Sequence, residues 1–247
     1  MATPPNAIGA LGEMILAIPP GVDFLLPGSA AHLAYMLPAY RPDLLLVCGF
    51  NWKIPASVIQ LPRLGALNIH PSMLPRHRGP EPIAWAIRNG ETHFGITVHR
   101  MDAELDSGNI IAQQGGIPID EDPSPDRLWI RMEPIILDLL TDALDRVSHG
   151  YPGEPQDTNL ASYEGIMDER FFHIDWQDTS RSIHNLVRAF RAKAPGQGPL
   201  ARIDGRWLKI LHTEMAPGNG LRVECADGPI WITEYVAAQP PNTDGAI

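Results

Sequence analysis

Short apolar runs at 22–26, 44–48, 66–70, 94–100 and 110–119, with helical or mixed segments between most of them, constrain this chain more than any other feature. Strand-length runs alternating with helices predict an α/β layer on a mainly parallel sheet. Residues 29–40 and 81–89 read as short helices, the second stopping at Asn89-Gly90. Ser124 before Pro125 opens a longer helix, the hydroxyl as cap and the proline in the first turn. Leu128, Met132, Ile135, Ile136, Leu139, Ala143, Leu144 and Val147 form its apolar stripe against the sheet, and Pro134 should kink it. The first domain is therefore expected over residues 1–150. A polar stretch rich in proline and glycine follows, and 151–172 reads as a linker. Residues 173–247 read as a small unit: a helix starting at Asp178 with Ile183, Leu186, Val187 and Phe190 on one face, a break at 194–199, then strands at 208–213, 221–225 and 230–236. The tail from residue 239 should fray.

With 247 residues and 44% apolar content, the chain can bury a full core. Nineteen basic against 29 acidic residues give a net charge of −10, which weighs against a polyanion partner held through its phosphates. Arg181, Arg188, Arg191 and Lys193 could form a basic face but read as a solvated helix surface. Cys48 lies inside an apolar run and reads as a buried reduced thiol, far from Cys225. The N-terminus lacks the layout of a signal peptide and no apolar run reaches membrane-spanning length, so a cytoplasmic location is expected. The spacing of His77, His93 and His99 matches no zinc pattern, so no metal is expected. The absence of a Gly-rich phosphate motif argues against NAD or ATP.

The chemistry concentrates at the end of the third run, Gly65-Ala-Leu-Asn-Ile-His70. In a strand, alternation puts Asn68 and His70 on one face, at the C-terminal end where open sheets bind ligands. An amide beside an imidazole can cradle a developing oxyanion. A carboxylate from a later loop, Asp106 in Met-Asp-Ala-Glu-Leu-Asp-Ser-Gly, can tune the imidazole and manage protons. Asp102 and Glu104 read as loop surface.

Asn68-Ile-His-Pro-Ser-Met-Leu-Pro-Arg-His-Arg-Gly79, followed by Pro82-Ile-Ala-Trp-Ala-Ile87, resembles the signature of the folate-dependent formyltransferases. The stretch from Phe94 to Ile111 resembles that family's second block, and Ile174-Asp-Trp176 with Leu186-Val-Arg-Ala-Phe190 resembles the entry to its C-terminal region. The resemblance implies a Rossmann-type catalytic sheet, followed by a small C-terminal β unit, and transfer of a formyl group from 10-formyltetrahydrofolate to an amine without a metal. It implies that protonated His70 and the Asn68 amide stabilise the formyl oxygen, while Asp106 keeps His70 charged and relays a proton. Gly49, Phe50, Asn51, Trp52 and Ile54 match the family's pterin cleft, with Leu105 closing its other side. Ser72, Arg76 and Arg78 match the loop that walls the site, where the arginines either meet an anionic group or brace the backbone. A small-metabolite amine, an amino sugar or modified amino acid, is the expected acceptor. Methionyl-tRNA formyltransferase, a 10-formyltetrahydrofolate hydrolase and a catalytically impaired homologue are the alternatives. The family normally opens with a strand, a turn, a helix and a second strand, whereas only twenty residues precede Gly21 here. An N-terminally reduced sheet is therefore expected, with 22–26 beside 44–48. Either weak turnover or a pocket completed by a second copy in a homodimer would follow.

Overall fold

The computed structural model describes residues 19–23, 25–50, 52–168 and 171–240. The apolar run at 7–18, Asn51 and most of the tail lie outside them. Helix α1 (Ala30–Met36) is capped by the Ser29 hydroxyl and runs into a 3-10 turn, Leu37–Tyr40. Then come β1 (Leu45–Cys48), α2 (Ala56–Ile59), β2 (Ala66–His70), α3 (Pro82–Arg88), β3 (His93–Arg100), β4 (Ile110–Pro118) and α4 (Pro125–Ser148). Helix α5 (Ser180–Lys193) leads into β5 (Leu200–Ile203), β6 (Arg206–Glu214), β7 (Leu221–Cys225) and β8 (Gly228–Ala237). The first four strands form one sheet in chain order; the last four form a second, in the order β5-β6-β8-β7.

The α/β layer stands, but the expected mainly parallel sheet is corrected. Among the described residues β1 and β2 pair in parallel, whereas β2–β3 and β3–β4 are antiparallel. Helix α3 has seven residues, about 10 Å of rise, too little to carry the chain back along β2. The chain therefore enters β3 beside the end of β2, with His70 opposite Thr97 and Leu67 opposite Arg100. Of the strand expected over 22–26, Leu25 is the one bridged position among the described residues, and Phe24 lies outside them. Among the described residues strand β1 leads the first sheet, with Leu46 and Cys48 exposed, so Cys48 is an exposed free thiol rather than a buried one.

Helix α4 is uninterrupted through Pro134 and buries Leu128, Leu139, Ala143 and Val147 against the sheet; Leu144, placed in that stripe by its spacing, is exposed. The first core joins these residues to Leu67, Ile87, Ile96, Val98 and Ile111. A second joins Ile183, Leu186, Val187 and Phe190 of α5 to Ala201, Ile210, Ile230 and Ile232 of the second sheet. Thr179 caps α5, one residue beyond Asp178. Strand β5, too short and mixed to stand out by pattern, is an addition to the three strands read from sequence.

The connecting segment does more than link. Its Glu154 bridges Ile110, and its Tyr163 bridges Arg78. The Ser162 carbonyl accepts from the Arg78 amide at 3.0 Å, and the Glu164 amide donates to the Arg78 carbonyl at 2.9 Å. The segment thus lies as an extra strip along the loop after β2.

Candidate active site

The predicted trio converges. Strand β2 delivers Asn68 and His70 to its C-terminal end, and the loop between β3 and β4 turns through Asp106 at φ 55°, a left-handed conformation that aspartate tolerates better than most residues. Asp106 Oδ2 lies 3.7 Å from His70 Nδ1 and accepts the Gly79 backbone N–H at 2.9 Å. The Asn68 amide donates to Asp106 Oδ1 at 3.3 Å. His70 and Asp106 are 4% and 7% exposed, so their electrostatics act in a poorly screened environment.

His70 Nε2–H donates to the His77 carbonyl at 2.8 Å, leaving Nδ1 to face Asp106. Burial lowers the affinity of His70 for a proton, and this outweighs the opposing pull of Asp106 and the His77 carbonyl. That direction runs against the expectation that Asp106 keeps His70 charged. Burial pushes the Asp106 carboxyl up, but the neighbouring His99 and His70 side chains and the Gly79 amide together bring it below the usual carboxylate range.

His99 belongs to this cluster, and the sequence reading missed it. It is 1% exposed, its Nδ1–H donates to the Arg100 carbonyl at 2.8 Å, and its Nε2 lies 3.3 Å from the Asn68 amide and 3.5 Å from Asp106 Oδ1. The antiparallel register that sets His99 opposite Asn68 explains it, since opposed residues share a face. Gln156 is a second omission. Its amide N–H donates to the Asp106 and Gly108 carbonyls at 2.9 and 2.7 Å, fixing the carboxylate loop from the connecting segment.

The three expected substrate contacts separate. The buried Ser72 hydroxyl donates to the Arg76 carbonyl at 2.7 Å, and Arg78 donates twice to Gln156, at 3.1 and 2.7 Å; both side chains brace the loop. Arg76 has a largely exposed guanidinium, 2.5 Å from Glu91. On the expected cleft, Gly49 adopts φ 59°, Phe50 and Trp52 meet edge to face at 5.7 Å, Ile54 is buried and Leu105 is 46% exposed. A cavity of about 320 Å³ lies between Pro71, Pro80, Ile83, Leu128 and Lys193. Among the described residues no group of three or more His, Cys, Asp or Glu side chains has the geometry of a metal site. No described helix is long and apolar enough to cross a membrane.

A family profile described as "Formyl transferase" matches residues 29–143, and "Formyl transferase, C-terminal domain" matches 167–242. The methionyl-tRNA formyltransferase of Pelobacter propionicus is 35% identical over 218 residues, covering 83% of this chain and 67% of that protein. That of Geobacter metallireducens is 33% identical over 89% of this chain and 74% of its own length. The chain belongs to the formyl transferase family. Solved structures share the fold. HypX from Aquifex aeolicus, in complex with tetrahydrofolic acid, aligns with a TM-score of 0.68 at 21% identity over 88% of this chain and 40% of its own. A 4-N formyltransferase from Francisella tularensis aligns with a TM-score of 0.66 at 20% identity over 82% and 81% of the two chains. WlaRD, a sugar 3N-formyl transferase solved with dTDP and 5-N-formyl-THF, aligns with a TM-score of 0.62 at 24% identity over 83% and 77%.

Proposed function

We propose that this formyl transferase moves the formyl group of 10-formyltetrahydrofolate to the amine of a small metabolite. The observation that carries the chemistry is the cluster of half-buried Asn68 with buried His70 and Asp106, drawn together at 3.3–3.7 Å. The acceptor nitrogen attacks the formyl carbon and forms the new C–N bond. Neutral His70 takes the amine proton at Nδ1, and Asp106 stabilises the resulting imidazolium. The bond to N10 then breaks, and N10 recovers the proton from His70. The formyl oxygen, negative in the tetrahedral intermediate, replaces one of the long 3.3 Å bonds made by the Asn68 amide. Gly49, Phe50, Trp52, Ile54 and Leu105 remain the proposed pterin cleft.

The small acceptor is supported by the state of three of the four cations in the candidate basic face. Arg188 is buried and donates to the Asp120 and Glu121 carbonyls, Arg191 pairs with Asp122 and Glu234, and Lys193 pairs with Glu81. Cations already paired gain little from phosphates. A second reading, formylation of methionyl-tRNA, is supported by the sequence relatives, which carry that name. A panel of amines and charged initiator tRNA, each incubated with 10-formyltetrahydrofolate, separates the two. Gain of one CO unit by a small amine, seen by mass spectrometry, supports the first; formyl-methionine on tRNA, with binding that weakens steeply with salt, supports the second. Formate released equally with and without any amine would replace both with the hydrolase.

A further inference from the structure

His77 follows His70 by seven residues, and its side chain takes no part in the proton path described above. Its ring is nonetheless buried, with only 6% of the side chain exposed. Nδ1 lies 2.9 Å from Glu164 Oε2 on the connecting segment, and Nε2 lies 2.7 Å from Glu91 Oε1 beyond α3. An ionised carboxylate accepts and does not donate, so the arrangement is satisfied when both ring nitrogens carry a proton. Arg76 meets the same oxygen of Glu91 from the other side, so that carboxylate is held by two donors.

The backbone of His77 connects this clamp to the catalytic histidine. It lies at φ 56°, in the left-handed region that β-carbon-bearing residues avoid unless their surroundings hold them there. Its N–H donates to the Ser162 hydroxyl at 2.8 Å, and its carbonyl accepts His70 Nε2–H at 2.8 Å. The connecting segment is pressed against the same turn: a β-carbon on Gly79 would stand 2.1 Å from the Glu164 carbonyl oxygen. Which nitrogen of a neutral histidine bears the proton is set by the partner of the other. Here that partner is a carbonyl whose position depends on a strained turn and on the side chain that anchors it.

We propose that His77 is a positioning residue: clamped as a double donor between Glu91 and Glu164, it fixes the carbonyl that holds His70 in its Nε2–H tautomer and leaves Nδ1 toward Asp106. The inference rests on the role assigned to His70 under the proposed function. It makes the segment from Ser162 to Glu164 part of the catalytic apparatus, although that segment touches no reacting atom. His77→Asn tolerates the left-handed backbone but cannot span both carboxylates. Glu164→Ala removes one jaw, and Glu164→Gln restores an oxygen acceptor without the charge.

Nitrogen-15 NMR of the histidine-labelled full chain, with the His70 signals assigned by their loss in His70→Gln, reads the tautomer directly and needs no turnover. The expected result is an Nε2–H ring in the parent protein, a rising Nδ1–H fraction in His77→Asn and Glu164→Ala, and partial return in Glu164→Gln. In turnover, kcat should fall roughly 10- to 100-fold in the first two variants, with KM for the formyl donor unchanged. An unaltered His70 spectrum in Glu164→Ala, or a raised KM at constant kcat, overturns the proposal. Should His77→Asn fail to fold, the Glu164 pair decides alone. If the parent protein formylates no acceptor, the transfer reading fails while the tautomer measurement still stands.

Discussion

Asp106 shows how much one side chain depends on its setting. One oxygen takes the Gly79 amide, the other the Asn68 amide, and the carboxylate faces the ring nitrogen left free by the His77 carbonyl. Asp106→Asn preserves size but loses the charge that stabilises an imidazolium. Steady-state assays should show transfer reduced roughly 10²–10⁴-fold, with an unchanged circular dichroism spectrum. Gly108, two residues on, has a different constraint. A β-carbon there would stand 2.0 Å from the Arg100 carbonyl oxygen. Gly108→Ala must therefore shift the Asp106 loop, and urea denaturation should show a loss of roughly 1–3 kcal/mol. Gly165→Ala, where a β-carbon meets nothing within 4 Å, is the matched control and should be neutral or slightly stabilising.

Helix α5 carries its own titration signature. Burial, then the charges of Arg188 and Arg181, lower His184 from 6.5 to about 4, against the opposing pull of Glu121. Its Nδ1 meets the Thr213 hydroxyl at 2.9 Å. The sign follows from linkage. Between pH 6.5 and about 4 the unfolded chain holds a proton on this residue that the folded chain does not, so stability rises with pH across that window. Acidification from 6.5 to about 4 should therefore lower the urea midpoint. His184→Gln should give a shallower slope, whatever its overall stability. A slope equal to that of the parent protein would remove His184 from the explanation. His70, also lowered by burial, contributes in the same direction, so the slope should shrink rather than vanish.

At the scale of the whole molecule, the two sheets are joined chiefly where α5 meets α3 and the turn before α4. Arg188 reaches out of α5 to the Glu121 and Asp120 carbonyls at 2.9 and 2.7 Å, Arg88 of α3 donates to Ser182 at 2.9 Å, and Lys193 pairs with Glu81 at 2.6 Å. Hydrogen bonds from a charged donor contribute about 1.5–3 kcal/mol each. Arg188→Met removes the buried donor of the Asp120 and Glu121 carbonyls. Calorimetry should show a lower Tm, with unfolding of the second sheet separating from that of the first. A single transition at the parent temperature would show that apolar packing alone couples them.

The residues alone determined the local features. Strand β2 and strand β7 match the predicted bounds to the residue, and the hydroxyl cap of α4 falls at Ser124 as read. Alternation, capping and turn chemistry act between near neighbours, so the sequence displays them. Asn68 and His70 were legible because one strand carries both, and Asp106 because its motif marks a turn. Strand direction, the place of His99 opposite Asn68, the exposure of Cys48 at a sheet's end, and the return of Gln156, Ser162 and Glu164 to the catalytic loop were not legible. Each depends on contacts between residues far apart in the chain, whose register is settled when loop lengths and core packing are satisfied together. The tertiary structure therefore decided which groups surround the catalytic histidine.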